Sequence, residues 1–293
     1  MAETLEPPRT HGKKTLPAGA NGVTVKKIPL RQRGATYLFL VLFLALSGCV
    51  KAPYTERAQF IIISEPEEAE LGVTTFGEIK KKSSLVSSAP DLDIIKRVGG
   101  RIADAAYKPE YRWEFILIND KAVNAFALPG GKVAFYTGIL PVTKDEAGVA
   151  VVMGHEVAHV LARHGAERLS QREVMAIGQT ALMAAIAGKS PAAQDALLGA
   201  YGVGAQVGVM LPFSRTQESE ADKIGLILMA KAGYDPRAAV LFWKRMDELF
   251  GGKARPELLS THPNDQRRIK EIEDFLPVAM DIYRQSASGK TER

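Results

Sequence analysis

His155-Glu156-Val157-Ala158-His159 sets two histidines four residues apart, with a glutamate next to the first. On a helix, residues four apart share a face, so His155 and His159 can offer two imidazoles to one metal ion. Glu156 lies about 100° round the helix from His155, within reach of a water on that metal. Two imidazoles with an adjacent carboxylate base form the core of a zinc hydrolase site. The flanking residues supply the helix this chemistry needs. Thr143-Lys144-Asp145-Glu146 reads as a capping box at its start. Val149, Val152, Met153, Val157, Val160 and Leu161 give it an apolar run, and Gly165 reads as its stop.

A catalytic zinc takes three protein ligands and keeps one position for water. The chain has five histidines. His11 lies near the N-terminus. His164 falls about 140° round the helix from His159 and is expected at the surface. Ala162 and Gly165 stand where an H-E-x-x-H-x-x-G-x-x-H site would need Gly and His. A carboxylate is therefore the better third ligand. In Glu218-Ser219-Glu220-Ala221-Asp222, Glu218 and Asp222 share a helix face, whereas Glu220 is about 200° from Glu218. Only one of the two glutamates can face the site. If it is Glu218, Asp222 can hold a histidine ring N–H from the same face. The competing reading is an exposed acidic turn paired with Arg215 or Lys223.

The elements that must position these residues are legible from caps and periodicity. Ser64 to Lys82 reads as a polar helix with an acidic start, and Pro90-Asp91 opens a second one bearing Leu92, Ile95, Val98 and Ile102. Trp113 to Ile118 is strand-like, Ala125 to Leu128 is a short extended run, and Pro129-Gly130-Gly131 turns into another strand, Lys132 to Tyr136. Residues 174–211 are rich in Ala, Gly, Met and Val but interrupted by Lys189-Ser190-Pro191. A transmembrane hairpin is the alternative, but both halves are too short or too polar to span comfortably. They read as a helical hairpin packed on the domain, its apolar face open to membrane or partner. Helices follow from Thr216 to Gly233, from Asp235-Pro236 to about Phe250, and from Thr261-His262-Pro263 to Phe275, with a polar tail from Ser286. The whole describes an α+β fold, mainly helical, with a small β-sheet beside the motif helix.

Charge separates the N-terminus from the rest. Residues 1–48 hold seven Lys/Arg and two acids, which accounts for the entire net charge of +5. The remainder is neutral and offers no basic patch for nucleic acid. Arg31 and Arg33 precede an apolar run, Ala35 to Leu46, followed by Leu46-Ser47-Gly48-Cys49. This describes a signal peptide with an extended basic region, cleaved before a cysteine. The tetrapeptide resembles the lipobox of bacterial lipoproteins, which implies lipidation of Cys49. As the only cysteine, Cys49 also excludes an intrachain disulfide. Val50, not Asp, follows it, which favours the outer membrane. The expected layout is a signal peptide over 1–48, a lipidated cysteine and tether over 49–59, a catalytic domain over 60–277 and a tail over 278–293.

His155-Glu156-Val157-Ala158-His159 followed by Glu218-Ser219-Glu220-Ala221-Asp222 resembles the M48 metallopeptidases. The resemblance extends over Asn124 to Gly131, Phe213-Ser214-Arg215, Ala221 to Leu226 and Ser260-Thr261-His262-Pro263, and covers roughly residues 60–277. It implies a zincin-like domain, one zinc ion per chain and Glu218 as third ligand. The expected activity is that of a zinc metalloendopeptidase of the bacterial envelope, held on the periplasmic face of the outer membrane. It would hydrolyse misfolded or misassembled envelope proteins through a metal-bound water, with Glu156 as general base. Asn124, Ala125 and Phe126 would offer a strand edge to an extended substrate. His262 is expected to donate to the oxyanion, to approach the metal as a regulatory ligand, or to cap the helix after it. Polypeptide substrates, the membrane and an oligomer or assembly machinery are the expected partners. The alternative function is an assembly factor or chaperone with weak or gated proteolysis.

Overall fold

A computed structural model describes residues 49–250, 256–262 and 266–291. The leader over 1–48, the side chain of Cys49 and the Pro263 helix start lie outside the described residues. The chain begins with a small antiparallel pair, β1 (Cys49–Lys51) and β2 (Ala58–Phe60). Residues 49–59 are thus a hairpin docked on the domain, not a bare tether: Ala52 and Gln59 are buried, and Gln59 Nε2 donates to Ala162 O at 2.7 Å.

Helix α1 (Glu65–Lys82) starts at Ser64 with a full capping box to Glu67, and α2 (Pro90–Ala106) buries Leu92, Ile95, Val98 and Ile102. Three strands follow, β3 (Glu114–Ile118), β4 (Ala125–Leu128) and β5 (Lys132–Tyr136). Their order is β3-β5-β4, with β3 parallel and β4 antiparallel to β5. β4 is therefore an edge strand. Gly130 and Gly131 both take φ of +79°, which L side chains avoid, and they close the β4–β5 turn against α1 and Trp113.

A short helix α3 (Leu140–Thr143) leads into the motif helix α4 (Glu146–Leu161). Its cap is Asp145, which accepts from Gly148 N at 2.8 Å; Thr143 ends α3 instead of forming the expected capping box. Every residue from Gly148 to Leu161 is buried, so α4 is the axis of the core. It ends before Gly165, because Arg163 adopts a left-handed φ of +52° and redirects the chain into α5 (His164–Ile186). Helices α6 (Pro191–Ala205) and α7 (Leu211–Lys231) follow, joined by a π turn over Gln206–Met210.

Helix α7 crosses α4 at two glycines. A Cβ on Gly154 would meet Gly225 O at 2.9 Å, and one on Gly225 would meet His155 N at 3.0 Å. This close approach sets the Glu218 turn of α7 against the histidines of α4. Helix α8 (Arg237–Phe250), the short α9 (Glu257–Thr261) and α10 (Gln266–Thr291) complete the domain. α10 does not stop at Phe275 or dissolve into a tail. Ile269, Ile272 and Ala279 are buried on it, and Ser286 Oγ donates to Ala230 O at 2.7 Å, so packing on α7 carries the helix to Thr291.

Candidate active site

One turn of α4 and one turn of α7 meet at three donor atoms. His155 Nε2 and His159 Nε2 are 3.1 Å apart, and Glu218 Oε2 and Oε1 lie 3.3 and 3.4 Å from them. Bonds of the length zinc makes to His and Glu put the corners of a tetrahedron roughly 3.3 Å apart. The donor set, two imidazoles and one carboxylate, and its spacing therefore fit a zinc ion. All three side chains are buried. His262, at the end of α9, brings Nδ1 to 3.2 Å from His155 Nε2 and 3.0 Å from both Glu218 oxygens, so four ligand atoms converge within 4.8 Å.

Electrostatics prepares these groups for a cation. Burial opposes the ionised form of Glu218, but the imidazoles of His159, His262 and His155 outweigh it and hold its pKa well below the usual range. Burial drives the pKa of His159 far below that of an ordinary imidazole, against the pull of Glu218. His155 is also buried, yet Asp222 and Glu218 raise it to about 9 in the metal-free protein, so zinc must displace a proton there.

Asp222 lies against His155, on the same face of α7 as Glu218. His155 Nδ1 is 3.0 Å from Asp222 Oδ1, which leaves Nε2 for a metal. Sequence reasoning missed the group that holds Asp222. Arg268 on α10 is buried, donates to both Asp222 oxygens at 2.8 Å, and lies 3.1 Å from Glu218 Oε2. Its guanidinium stacks over Trp243 at 4.2 Å.

His164 departs furthest from expectation, and Glu220 packs against it. His164 is fully buried, not at the surface, with Nδ1 at 2.8 Å from His159 Nδ1. Its Nε2 is 2.9 Å from Glu220 Oε2. Glu220 does face away from Glu218, but the side it faces is also packed. Arg57 donates to it at 2.9 Å, Thr55 hydrogen-bonds it, and Arg57 forks onto Glu167 at 2.7 and 2.8 Å. Burial opposes the charge on Glu220, yet His164, Arg57 and Thr55 lower its pKa to about 2. These contacts fix a tautomer. For His159 Nε2 to ligate, Nδ1 must carry the proton and donate it to His164 Nδ1. His164 then carries its own proton on Nε2 and donates to Glu220. Glu220 is thus linked through His164 to the imidazole of His159. His164→Ala and Glu220→Gln are each expected to weaken zinc binding about 10–100-fold in competition with a chromophoric chelator. Unchanged affinity in both would show that the relay does not bear on the metal.

Glu156 points into the same space. It is buried, and its Oε1 has no hydrogen-bond partner among the described residues, with His262 Nε2 3.5 Å away. A buried carboxylate oxygen without a hydrogen bond, beside a metal-ligand set, is costly unless a water or substrate meets it. The strand edge is nearby in the fold, since β4 packs on α4. Within it, Asn124 is buried and its Oδ1 accepts from Ala125 N at 3.0 Å. Ala125 is buried and Phe126 half-buried against Tyr136. The Asn124 side chain therefore serves its own strand, and the edge can offer backbone groups only.

Residues 91–276 match peptidase family M48. The chain is 34% identical over 255 residues to the mitochondrial metalloendopeptidase OMA1 of Saccharomyces cerevisiae, covering 80% of this chain and 71% of that protein. It is 40% identical over 233 residues to the mitochondrial metalloendopeptidase OMA1 of Schizosaccharomyces pombe, covering 78% and 66%. The beta-barrel assembly-enhancing protease of Escherichia coli is 29% identical over 217 residues, 71% of this chain and 44% of that one. These relatives correct one expectation. Placement on the bacterial outer membrane is overturned, because the relatives at 34–40% identity are named as mitochondrial and the bacterial one falls below them. The lipid anchor at Cys49 that went with that placement gains no support from them. The match over most of the folded domain, together with a His-His-Glu donor set built as zinc requires, makes the chain a zinc metalloendopeptidase that belongs to peptidase family M48.

Proposed function

We propose that this protein cuts extended segments of misfolded or misassembled polypeptides, with His155, His159 and Glu218 holding zinc and Glu156 moving the protons. The observation that carries the reading is the buried Glu156, whose Oε1 accepts no hydrogen bond among the described residues, beside the converging donor atoms of His155, His159, Glu218 and His262. When bound, zinc would supply Lewis acidity and lower the pKa of a coordinated water. Glu156 would accept the proton of the attacking water and return it to the leaving amine. Asp222 and His164 keep the two imidazoles in the ligating tautomer through the contacts above. β4 would take substrate as an added strand, a mode that reads backbone more than side chain and suits substrates defined by being unfolded. The name of the bacterial relative, an assembly-enhancing protease, is in line with such substrates. The test is degradation of unfolded casein by the purified protein, lost on chelation and regained with stoichiometric zinc. Binding of casein with no cleavage under any zinc loading would favour the assembly-factor reading.

One observation favours a gated form of this activity. His262 Nδ1 stands at the fourth corner of the donor set, where a water is needed. The segment that carries it lies across the start of the substrate edge, with Leu258 N donating to Val123 O at 3.1 Å. As a fourth ligand His262 would close the site, so turnover requires this segment to move aside. His262→Ala is expected to raise casein cleavage several-fold with zinc content unchanged. A fall in kcat at unchanged zinc content would instead make His262 an oxyanion donor.

A further inference from the structure

The helices that leave the active site and return to it do not pack on the domain as their composition suggests. Among residues 172–216 only Ile186 is buried. Val174, Ile177, Met183, Leu197, Val203 and Phe213 are all exposed, Ile177 by 69% and Val203 by 65%. From Val174 to Ser214 the only charges are Lys189 and Asp195. The Pro191–Lys231 helix contains an 18-residue window of mean hydropathy 1.5 with none of it buried. A protein groove covers one stripe of a helix. Here Val203, Val207 and Leu211 occupy one face and Val209 and Phe213 roughly the opposite one, and all are exposed. Such a surface needs a medium that surrounds it, not a partner on one side.

The charges at the hairpin base say which medium. Arg172, with the exposed carboxylate of Glu173 next to it in sequence, and Arg215 are exposed where the two arms join the domain. Next to them lies a cavity of about 410 Å³. Arg57, Arg215, Lys223 and Arg267 line it with the Thr216 and Ser219 hydroxyls, against the carboxylates of Glu220 and Glu271. An apolar body with cations at its root is complementary to acyl chains beneath anionic headgroups. Val174 to Gly188 spans about 22 Å as a helix, less than the roughly 30 Å of a bilayer core. The outgoing arm is thus too short to cross, although the returning Pro191–Lys231 helix has the length and composition to do so. The turn between them carries Lys189, whose long stem can return the ammonium to the headgroups.

We propose that the α5–α6–α7 hairpin is a membrane-docking element that sinks obliquely into one anionic phospholipid leaflet, with Arg172, Arg215 and the basic cavity at the headgroups. Glu218 follows Arg215 by one helical turn, so docking holds the metal-ligand set against the membrane surface. Only this last consequence rests on the peptidase reading; the docking does not.

The test uses the full chain with Cys49→Ser, which removes the single cysteine. Ile177→Cys, Val203→Cys and, on the exposed face of α2, Lys96→Cys are labelled with an environment-sensitive fluorophore. Each is reconstituted into phosphatidylcholine vesicles with or without phosphatidylglycerol, carrying doxyl-labelled lipid. The labels at 177 and 203 are expected to shift blue and be quenched by doxyl lipid, more strongly in anionic vesicles, while the label at 96 is not. Arg172→Glu with Arg215→Glu is expected to cut that quenching at least twofold. An anchor elsewhere in the chain cannot produce this pattern, because the probes read the hairpin itself. Labels at 177 and 203 as water-exposed as the one at 96 would overturn the proposal. So would a blue shift already present without lipid and untouched by doxyl groups, which would mean that a second copy of the chain covers the hairpin.

Discussion

Glu156→Gln is expected to leave one zinc per chain while casein cleavage falls by about 10²-fold or more. Glutamine keeps the size and polarity of the side chain but cannot accept a proton at neutral pH. Glu156 is not among the four groups whose donor atoms converge, so nothing in the metal set should change. Its Oε1 accepts no hydrogen bond among the described residues, so the amide breaks none there and alters only the 3.5 Å approach of His262 Nε2. The substitution therefore separates chemistry from architecture. Zinc content, thermal unfolding and casein binding should match wild type, and only turnover should collapse. Equal cleavage by the zinc-loaded variant and wild type would mean that the observed proteolysis is contamination, and the protein would be better read as a binding factor.

What could be read in the chain beforehand follows from which contacts are local. The helix starts at Ser64 and Pro90 and the three strands are written in spacings of two to seven residues, and they stand as read. The pairing of Glu218 with Asp222 is an i, i+4 relation and was equally legible. His164 was not, because its angle was counted along a helix that ends sooner. The left-handed Arg163 breaks α4 without a Gly or Pro to announce it, and this turn swings His164 back beneath His159. Arg57 and Arg268 reach the site across 163 and 46 residues of sequence, a relation that no periodicity encodes. The glycines at the α4–α7 crossing carry a signal that could have been used. Gly154 directly precedes the motif and Gly225 lies on the Glu218 helix, where glycine otherwise costs stability and so implies close packing. The hairpin is legible as helices from its composition, but composition does not say what its apolar surface meets.

Removing the third ligand should be the most severe change to the metal. Glu218→Ala deletes the carboxylate that spans both imidazoles and also leaves Arg268 Nη1 without its 3.1 Å partner. Two imidazoles alone hold zinc weakly, and a buried guanidinium stripped of one of its carboxylates repels a cation. Zinc affinity is expected to fall by more than about 100-fold, beyond the range for outer contacts, and cleavage with it. Asp222→Asn keeps a hydrogen-bond acceptor for His155 Nδ1 and should cost only about 10–100-fold in affinity. The ordering matters more than either value, because Glu218, Glu220 and Asp222 all sit within five residues of one buried helix. Glu218→Ala should be worst, with Asp222→Asn and Glu220→Gln intermediate, in chelator competition on variants whose circular dichroism matches wild type. If Glu220→Gln emptied the site while Glu218→Ala still held one zinc per chain at wild-type affinity, the third ligand would have been assigned to the wrong face of α7. The relay through His164 would then be the true first contact.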